Sequence, residues 1–427
     1  MQKLQISNFS CIKSASIETS GLTILIGPQA SGKSVISKLI YFFNRQLENF
    51  PAAAEEKLSS SDLETRISDE FSKWFPVSAW GDGRFKIMFE AGPFVMSIQR
   101  TKRDSKRARV LLSSDVRVYY DTLTIAYEEL STNLSNGYSF SSTLPFQIFD
   151  RLNRSNSERL DALLTTAYVK NQIFIPAARS WFTSIGKSLT AFERGGILDE
   201  VTLNFGRAFA NAQEYIRSTA IDPNLTNRAD RFKDLANQLF GGQLRFEREG
   251  EYVQASDGRK IPFNILSSGQ QELLPLWLVL IFFSTASQSR RVYRGRNLIY
   301  IEEPEAHLFP VAQSLLLEFL VGLTTDDQLN HDMLITTHSP YILSKINILL
   351  KAGAVGELSE AKANQVSEIL PRSSWLSLAR TKAYAIIDGK VRDIVDEDGL
   401  IDGEYLDSIS NEISTSFNQL LEIEFAE

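Results

Sequence analysis

Apolar positions follow two rhythms along this chain. "KLQISNF" near the N-terminus alternates apolar and polar side chains, the period of a half-buried strand. "LTILI" (22–26) is β-rich and almost wholly apolar, as a strand buried on both faces would be. A glycine-rich stretch follows, and then "SVISKLIYFF" (34–43) carries apolar residues at helical spacing. The first forty residues therefore predict strand, strand, glycine loop, helix. Residues 45 to 75 are rich in Ala, Glu, Lys and Ser and predict surface helices. "RFKIMFEAGPFVMSIQR" (84–100) predicts a pair of strands, followed by the basic turn "TKRDSKRAR" and a further strand at "VLL".

Residues 116 to 170 read as mostly helical. "NQIFIPAARSW" (171–181) predicts a short apolar strand ending at Pro176, with Gln172 ahead of it and Arg179 just beyond. A second helical stretch covers 182–240, and "GGQLRFEREGEYVQASDGRKIPF" predicts a strand hairpin. From 265 to 350 the order is polar turn, helix, strand "NLIYIEE", helix, strand "DMLITTHS". That alternation predicts an α/β core with a partly parallel sheet. The tail predicts a hairpin at "AYAIIDGKVRDIV" (383–395), an acidic loop and a final helix. Residues 1–44, 171–181 and 241–395 are thus expected to form a discontinuous core. Residues 45–170 would be a β-hairpin plus helical insertion, 182–240 a helical insertion, and 396–427 an acidic loop with a helix.

The most apolar run, "LLPLWLVLIFF" (273–283), falls short of the ~20 residues that span a bilayer and contains Pro275. It predicts a buried helix and no membrane partner. The N-terminus lacks the apolar core of a signal peptide, so a cytoplasmic location is expected. Composition narrows the field further. Of 427 residues, 43% are hydrophobic and 23% charged, enough to bury a substantial core. A formal charge of -7 disfavours a protein that coats nucleic acid through net charge. With Cys11 as the single cysteine and three histidines, neither an intrachain disulfide nor a Cys/His zinc site is expected.

"GPQASGKS" (27–34) follows an apolar strand and opens a helix, the context of a phosphate-binding loop. Gly27, Pro28, Gln29, Ala30, Ser31 and Gly32 would wrap so that the successive N–H groups after Pro28 point toward phosphate oxygens, assisted by the helix N-terminus. Lys33 would reach the β/γ phosphates of ATP, and the Ser34 hydroxyl would be a ligand of Mg²⁺. Such a loop needs an acidic partner on a neighbouring strand. "NLIYIEEPEAHL" (297–308) supplies Glu302 as the metal carboxylate and Glu303 to orient the attacking water. His338 lies just beyond the strand "DMLITT", where it could hydrogen-bond the γ-phosphate. "LSSGQQE" (266–272) is a polar turn opening the apolar helix. Ser267, Ser268, Gly269 and Gln270 would offer a second phosphate-binding surface, completed between two subunits paired head to tail.

In this order, the four elements resemble the heads of ABC-type ATPases. The wording "LIGPQASGKS", "EEPEAHLFP" and "TTHSPYIL" is similar to the RecF/SMC/OLD branch, and especially to the stand-alone ATPase subunits of bacterial anti-phage systems such as Septu and PARIS. The resemblance implies an α/β P-loop ABC-ATPase head with a mixed, largely parallel central sheet, an N-terminal antiparallel part and helical insertions. It implies ATP hydrolysis with Mg²⁺, homo-oligomerisation, and control of a separate effector, a toxin or nuclease. A RecF/SMC-like DNA-binding repair role is the alternative. Two departures stand out: the first acidic residue is Glu302 where the family has Asp, and no glutamine loop is evident near Phe174–Ser180. The acidic "DEDGLIDGEYLD" (396–407) is too short for an OLD-type nuclease domain, so no nuclease activity is expected. Arg100, Lys102, Arg103, Lys106, Arg107 and Arg109 form a basic turn that could meet nucleic-acid phosphates. Arg290, Arg291, Arg294 and Arg296 form a second basic group, expected as a surface loop.

Overall fold

The computed structural model describes residues 1–103, 105–135, 144–185, 198–219, 226–247, 250–289, 296–326, 329–403 and 415–420. The first half of the chain runs β1 (Gln2–Phe9), β2 (Ile12–Glu18), β3 (Leu22–Ile26), α1 (Lys33–Glu55), α2 (Ser60–Trp74), β4 (Phe85–Ala91), β5 (Phe94–Arg100), β6 (Arg109–Leu112), α3 (Ser114–Ser135), α4 (Leu144–Leu164) and β7 (Val169–Ile175). It continues with α5 (Phe182–Ile185), α6 (Glu200–Thr219), α7 (Thr226–Phe240), β8 (Gly242–Glu247), β9 (Gly250–Ala255), β10 (Lys260–Pro262) and α8 (Ser268–Ser289). The last elements are β11 (Arg296–Glu302), α9 (Pro310–Thr325), β12 (His331–Thr337), α10 (Pro340–Gly356), α11 (Glu360–Ser367), β13 (Thr381–Ile387) and β14 (Lys390–Asp393).

One sheet has the order β6-β5-β4-β1-β2-β14-β13-β3-β12-β11-β7. Strands β13, β3, β12, β11 and β7 are mutually parallel, whereas β2, β1, β4, β5 and β6 are antiparallel. Strand β14 bridges the two parts, antiparallel to β13 and parallel to β2. The hairpin at 85–100 pairs with β1 and so extends this sheet. Strands β8, β9 and β10 form a separate small sheet.

Side chains of the parallel strands divide between two cores. Leu25, Leu298, Tyr300 and Leu334 join α1 and the inner face of the antiparallel strands. Ile24, Ile26, Ile299, Ile301, Met333 and Ile335 face α8, α9 and α10. Burial on both faces explains why these strands read as unbroken apolar runs. The same sandwiching buries α1 on most of its surface, the polar Ser37, Asn44 and Gln46 included. It runs to Glu55, past the expected start of surface helices, and Leu47, Phe50, Ala53 and Ala54 are buried in its last turns. Strand β2 escapes sequence reading because only Ile12, Ala15 and Ile17 are buried along it, among Lys, Ser and Glu. Its ladder to β1 holds it in place instead. The run at 273–283 is the buried helix expected. Among the described residues no helix is long and apolar enough to cross a membrane.

His331 at the start of β12 is fully buried, between Asn297 Nδ2 at 3.1 Å from its Nδ1 and Ser284 Oγ at 3.1 Å from its Nε2. Burial pushes its pKa down to about 4, opposed by Asp326. The unfolded chain binds this proton near pH 6.5 and the native state does not, so the stabilisation is complete above pH 6.5 and is lost as pH falls toward 4. Urea unfolding at pH 7.5 and at pH 5 should differ by on the order of 2 kcal/mol from this residue. That part of the pH dependence should be absent in His331→Gln; an identical slope in the variant refutes the assignment.

Candidate functional site

Pairing register brings the chemistry together. Ile26 of β3 stands beside Thr337 of β12, Thr336 beside Glu302 of β11, and Ile301 beside Ile175 of β7. The residues that follow these strands, Gly27, His338, Glu303 and Pro176, therefore share one carboxyl-terminal edge. In open α/β sheets ligands bind at that edge.

The loop 27–34 turns from β3 into α1. Gly32 is its N-cap, with a left-handed φ of 105°. The left-handed φ favours glycine, and a Cβ there would also lie 2.3 Å from Ile12 Cδ1 at the start of β2, which would have to move. Pro28, Gln29, Ala30 and Ser34 are exposed, while Lys33 is buried. Lys33 Nζ donates to the carbonyls of Gly27 (2.6 Å) and Pro28 (2.8 Å), closing the loop on itself. Burial lowers its pKa, opposed by the charges of Glu303, Glu305 and Glu302. This ammonium thus faces three carboxylates across the edge.

Glu302 is buried, and its Oε2 accepts from the Ala177 amide at 3.3 Å while its Oε1 has no partner. Glu303 has a left-handed φ of 45°, with its amide donating to Thr336 O at 2.9 Å. Its Oε1 lies 3.6 Å from Nδ1 of the partly exposed His338. Glu305 was not legible as a functional residue. It is buried, and its Oε1 accepts from Thr337 Oγ1 (2.6 Å) and from the His338 amide (3.0 Å). Glu305 therefore fixes the backbone that carries His338. The two-residue spacing in Glu-Pro-Glu was the only signal, and a solvated turn has the same one.

Ser31 Oγ, Glu302 Oε1, Glu305 Oε2 and His338 Nδ1 are all buried without hydrogen-bond partners. Buried polar atoms left this way are costly unless a ligand satisfies them. The set fits an ATP–Mg²⁺ group: phosphate oxygens would satisfy Ser31 and His338, and the cation with its waters the two carboxylates. Among the described residues no cluster of three or more His, Cys, Asp or Glu forms a metal cage. Mg²⁺ does not need one, since one or two side chains, phosphates and water complete its shell. Ser34 and Glu302 are the residues suited to hold it.

Ser267, Ser268, Gly269 and Gln270 open α8. The Ser267 amide and hydroxyl donate to Gln270 Oε1 at 3.1 and 2.9 Å, and Gln270 Nε2 donates to Phe240 O at 2.7 Å. A Cβ on Gly269 would lie 2.7 Å from His307 O. Both serines are exposed. Their bonds stay within this turn and the α7 end, apart from the loop 27–34.

Three expectations need correcting. Gln172 lies inside β7, not ahead of it, where its Nε2 donates to Tyr41 O at 3.2 Å and its Oε1 accepts from Tyr300 OH at 3.3 Å. It packs between α1 and the sheet. Arg100 is not part of an exposed basic surface: it is buried, donates to Gly81 O at 2.9 Å and lies over the Trp80 ring. Lys102, Arg103, Lys106, Arg107 and Arg109 are exposed. Arg296 is partly buried and ion-paired with the buried Asp332, so it is no surface-loop residue. Arg290, Arg291 and Arg294 lie outside the described residues, as do residues 404–407 of the acidic stretch.

A P-loop at the switch from strand to helix, a strand two places along the sheet that ends in carboxylates, and a mixed parallel and antiparallel sheet define an α/β P-loop ATPase fold. Sequence comparison reaches the same class: a profile of the AAA ATPase domain matches residues 1–139 and 97–343, and the chain belongs to that family. No curated protein matches it. Similar solved structures include the SMC head domain from Thermotoga maritima, at 11% identity and TM-score 0.36, over 92% of this chain and 97% of that one. An SmcHead bound to the C-winged helix domain of ScpA aligns at 14% identity and TM-score 0.39, over 93% and 98%. An Smc head with an extended coiled coil, bound to the C-terminal domain of ScpA derived from Pyrococcus furiosus, aligns at 11% and 0.37, over 97% and 100%.

Proposed function

We propose that this ATPase is a dimerising switch whose two nucleotides are each enclosed between the 27–34 loop of one copy and the Ser267–Gln270 turn of another. The observation that carries the reading is the exposure of Ser267 and Ser268 at a helix N-terminus that makes its bonds away from the chain's own loop. A helix N-terminus carrying exposed serines suits phosphate oxygens, and a second copy could bring such oxygens to it.

Within one copy, the amides of 29–33 and the Lys33 ammonium bind phosphate, and Ser34 with Glu302 would hold the cation. Bound Mg²⁺ supplies charge neutralisation on the phosphate oxygens. Glu303 orients the attacking water and accepts its proton, and His338 donates a hydrogen bond toward the terminal phosphate. Hydrolysis then separates the copies. The wording of the loop and carboxylate motifs favours a regulatory subunit of an anti-phage module that restrains a separate toxin or nuclease. A DNA-repair role depends on the basic turn. There Arg100 is buried, Arg103 Nε is turned onto Asp82 O at 2.7 Å, and Arg107 lies 3.9 Å from the Asp69 carboxylate, so fewer cations are free to meet phosphates than the sequence suggests.

Light scattering of Glu303→Gln tests the switch. Its mass should be that of a monomer without nucleotide and double with Mg-ATP, but not with Mg-ADP. A mass indifferent to nucleotide refutes it.

A further inference from the structure

We infer that Arg179 is a positioning residue for hydrolysis: it clamps the Glu302–Glu303 backbone to the first turns of α8, so that the water-orienting carboxylate and the Ser267–Gln270 turn move as one body. The inference rests on the switch reading above and adds the link between its two phosphate-binding surfaces.

Arg179 is fully buried, just past the end of β7. Its Nη1 donates to Glu302 O at 2.8 Å and to Pro176 O at 3.1 Å; its Nη2 donates to Glu303 O at 3.0 Å. Its Nε donates to Glu272 O at 3.0 Å and lies 3.5 Å from the Glu272 carboxylate. Glu272 follows Gln270 by two positions in α8. One guanidinium thus gathers β7, β11 and α8 at a single point. Burying it forfeits its hydration, and a hydrophobic side chain could fill the volume without that cost. What a hydrophobic side chain could not do is hold four carbonyls in a fixed fork.

The carbonyls it holds belong to the residues of the site. Glu303 has left-handed backbone geometry, which is unfavourable for a side chain with a Cβ and persists only when its surroundings enforce it. Two bonds enforce it here: the Glu303 amide to Thr336 O on one side, Arg179 to Glu303 O on the other. Release of the second frees the peptide that aims the carboxylate. The bond to Glu272 O joins the same guanidinium to the helix whose N-terminus would receive a partner's nucleotide. Engagement of that helix is then felt at Glu303 without any contact between the two motifs.

Arg179→Lys and Glu272→Gln test this, each measured for phosphate release, for affinity toward a fluorescent ATP analogue and for thermal unfolding. Lysine keeps the charge but offers one nitrogen in place of the fork. Its kcat should fall about 10–100-fold, since small misplacement of a catalytic group costs this much, with nucleotide affinity within about threefold of wild type. Glu272→Gln keeps the volume but removes the buried charge that draws Arg179 Nε onto α8, which loosens the clamp, and its kcat should fall about 3–10-fold at unchanged affinity. If Arg179→Lys does not fold, Glu272→Gln decides. Wild-type kcat in the folded variants, or kcat and affinity falling together, overturns the inference. A wild-type protein that does not hydrolyse ATP overturns the switch reading as well. Glu303-dependent hydrolysis with normal turnover in these variants overturns this inference alone.

Discussion

Glu303→Gln should lower steady-state ATP turnover by about 10²–10³-fold, equivalent to about 3–4 kcal/mol of barrier, and leave ATP binding intact. The substitution keeps the volume and one carbonyl oxygen but cannot accept a proton from water at neutral pH. Its backbone bonds to Thr336 and Arg179 do not involve the side chain, so the left-handed turn survives. The loss should appear in kcat and in kcat/KM alike, the pattern of an interaction made only in the transition state. Glu302→Gln should behave differently, because on the proposed reading its carboxylate would hold the cation, and its loss should also weaken Mg-ATP affinity. Phosphate release and nucleotide titration on both variants separate the roles. Turnover of Glu303→Gln within a few fold of wild type would exclude it as the water-orienting group.

The parts of the site that could be read from sequence are those where one short segment contains its own reason. The 27–34 loop needs a strand before it, glycines within it and a helix after it, and all three are contiguous. Glu302 and Glu303 were legible because two carboxylates ending an apolar strand need a partner. What was hidden depends on pairing across the sheet. Nothing local tells that Glu305 will accept from Thr337 and His338, which are more than thirty positions away. Arg179 beyond a strand end looks like any surface arginine until β11 and α8 are packed on it. Gln172 misled in the opposite sense. Its polarity suggested a position outside the strand, but the buried Tyr300 hydroxyl supplies it with a partner inside. Likewise β2 has little apolar pattern because its place is set by the β1 ladder.

Lys33→Ala should reduce ATP affinity by roughly 10²-fold or more, because two charge-assisted hydrogen bonds to phosphate, at about 1.5–3 kcal/mol each, are lost together. Without nucleotide the effect on folding is smaller, since two contributions oppose each other. The carbonyls of Gly27 and Pro28 lose their donor, but a desolvated ammonium is removed with it. The clearest readout is therefore the nucleotide-induced stabilisation. A ligand at 100 times its Kd stabilises the native state by about 2.7 kcal/mol, and a roughly 10²-fold weaker affinity at the same concentration leaves about 0.4 kcal/mol. The unfolding midpoint of Lys33→Ala should barely move on adding Mg-ATP, whereas that of wild type should rise by several degrees. The reason is geometric as well as electrostatic. In the absence of nucleotide Lys33 bonds the carbonyls of its own loop, and it can exchange them for phosphate oxygens without leaving the loop. An alanine variant stabilised by Mg-ATP as strongly as wild type would mean that the loop amides and α1 alone hold the phosphates.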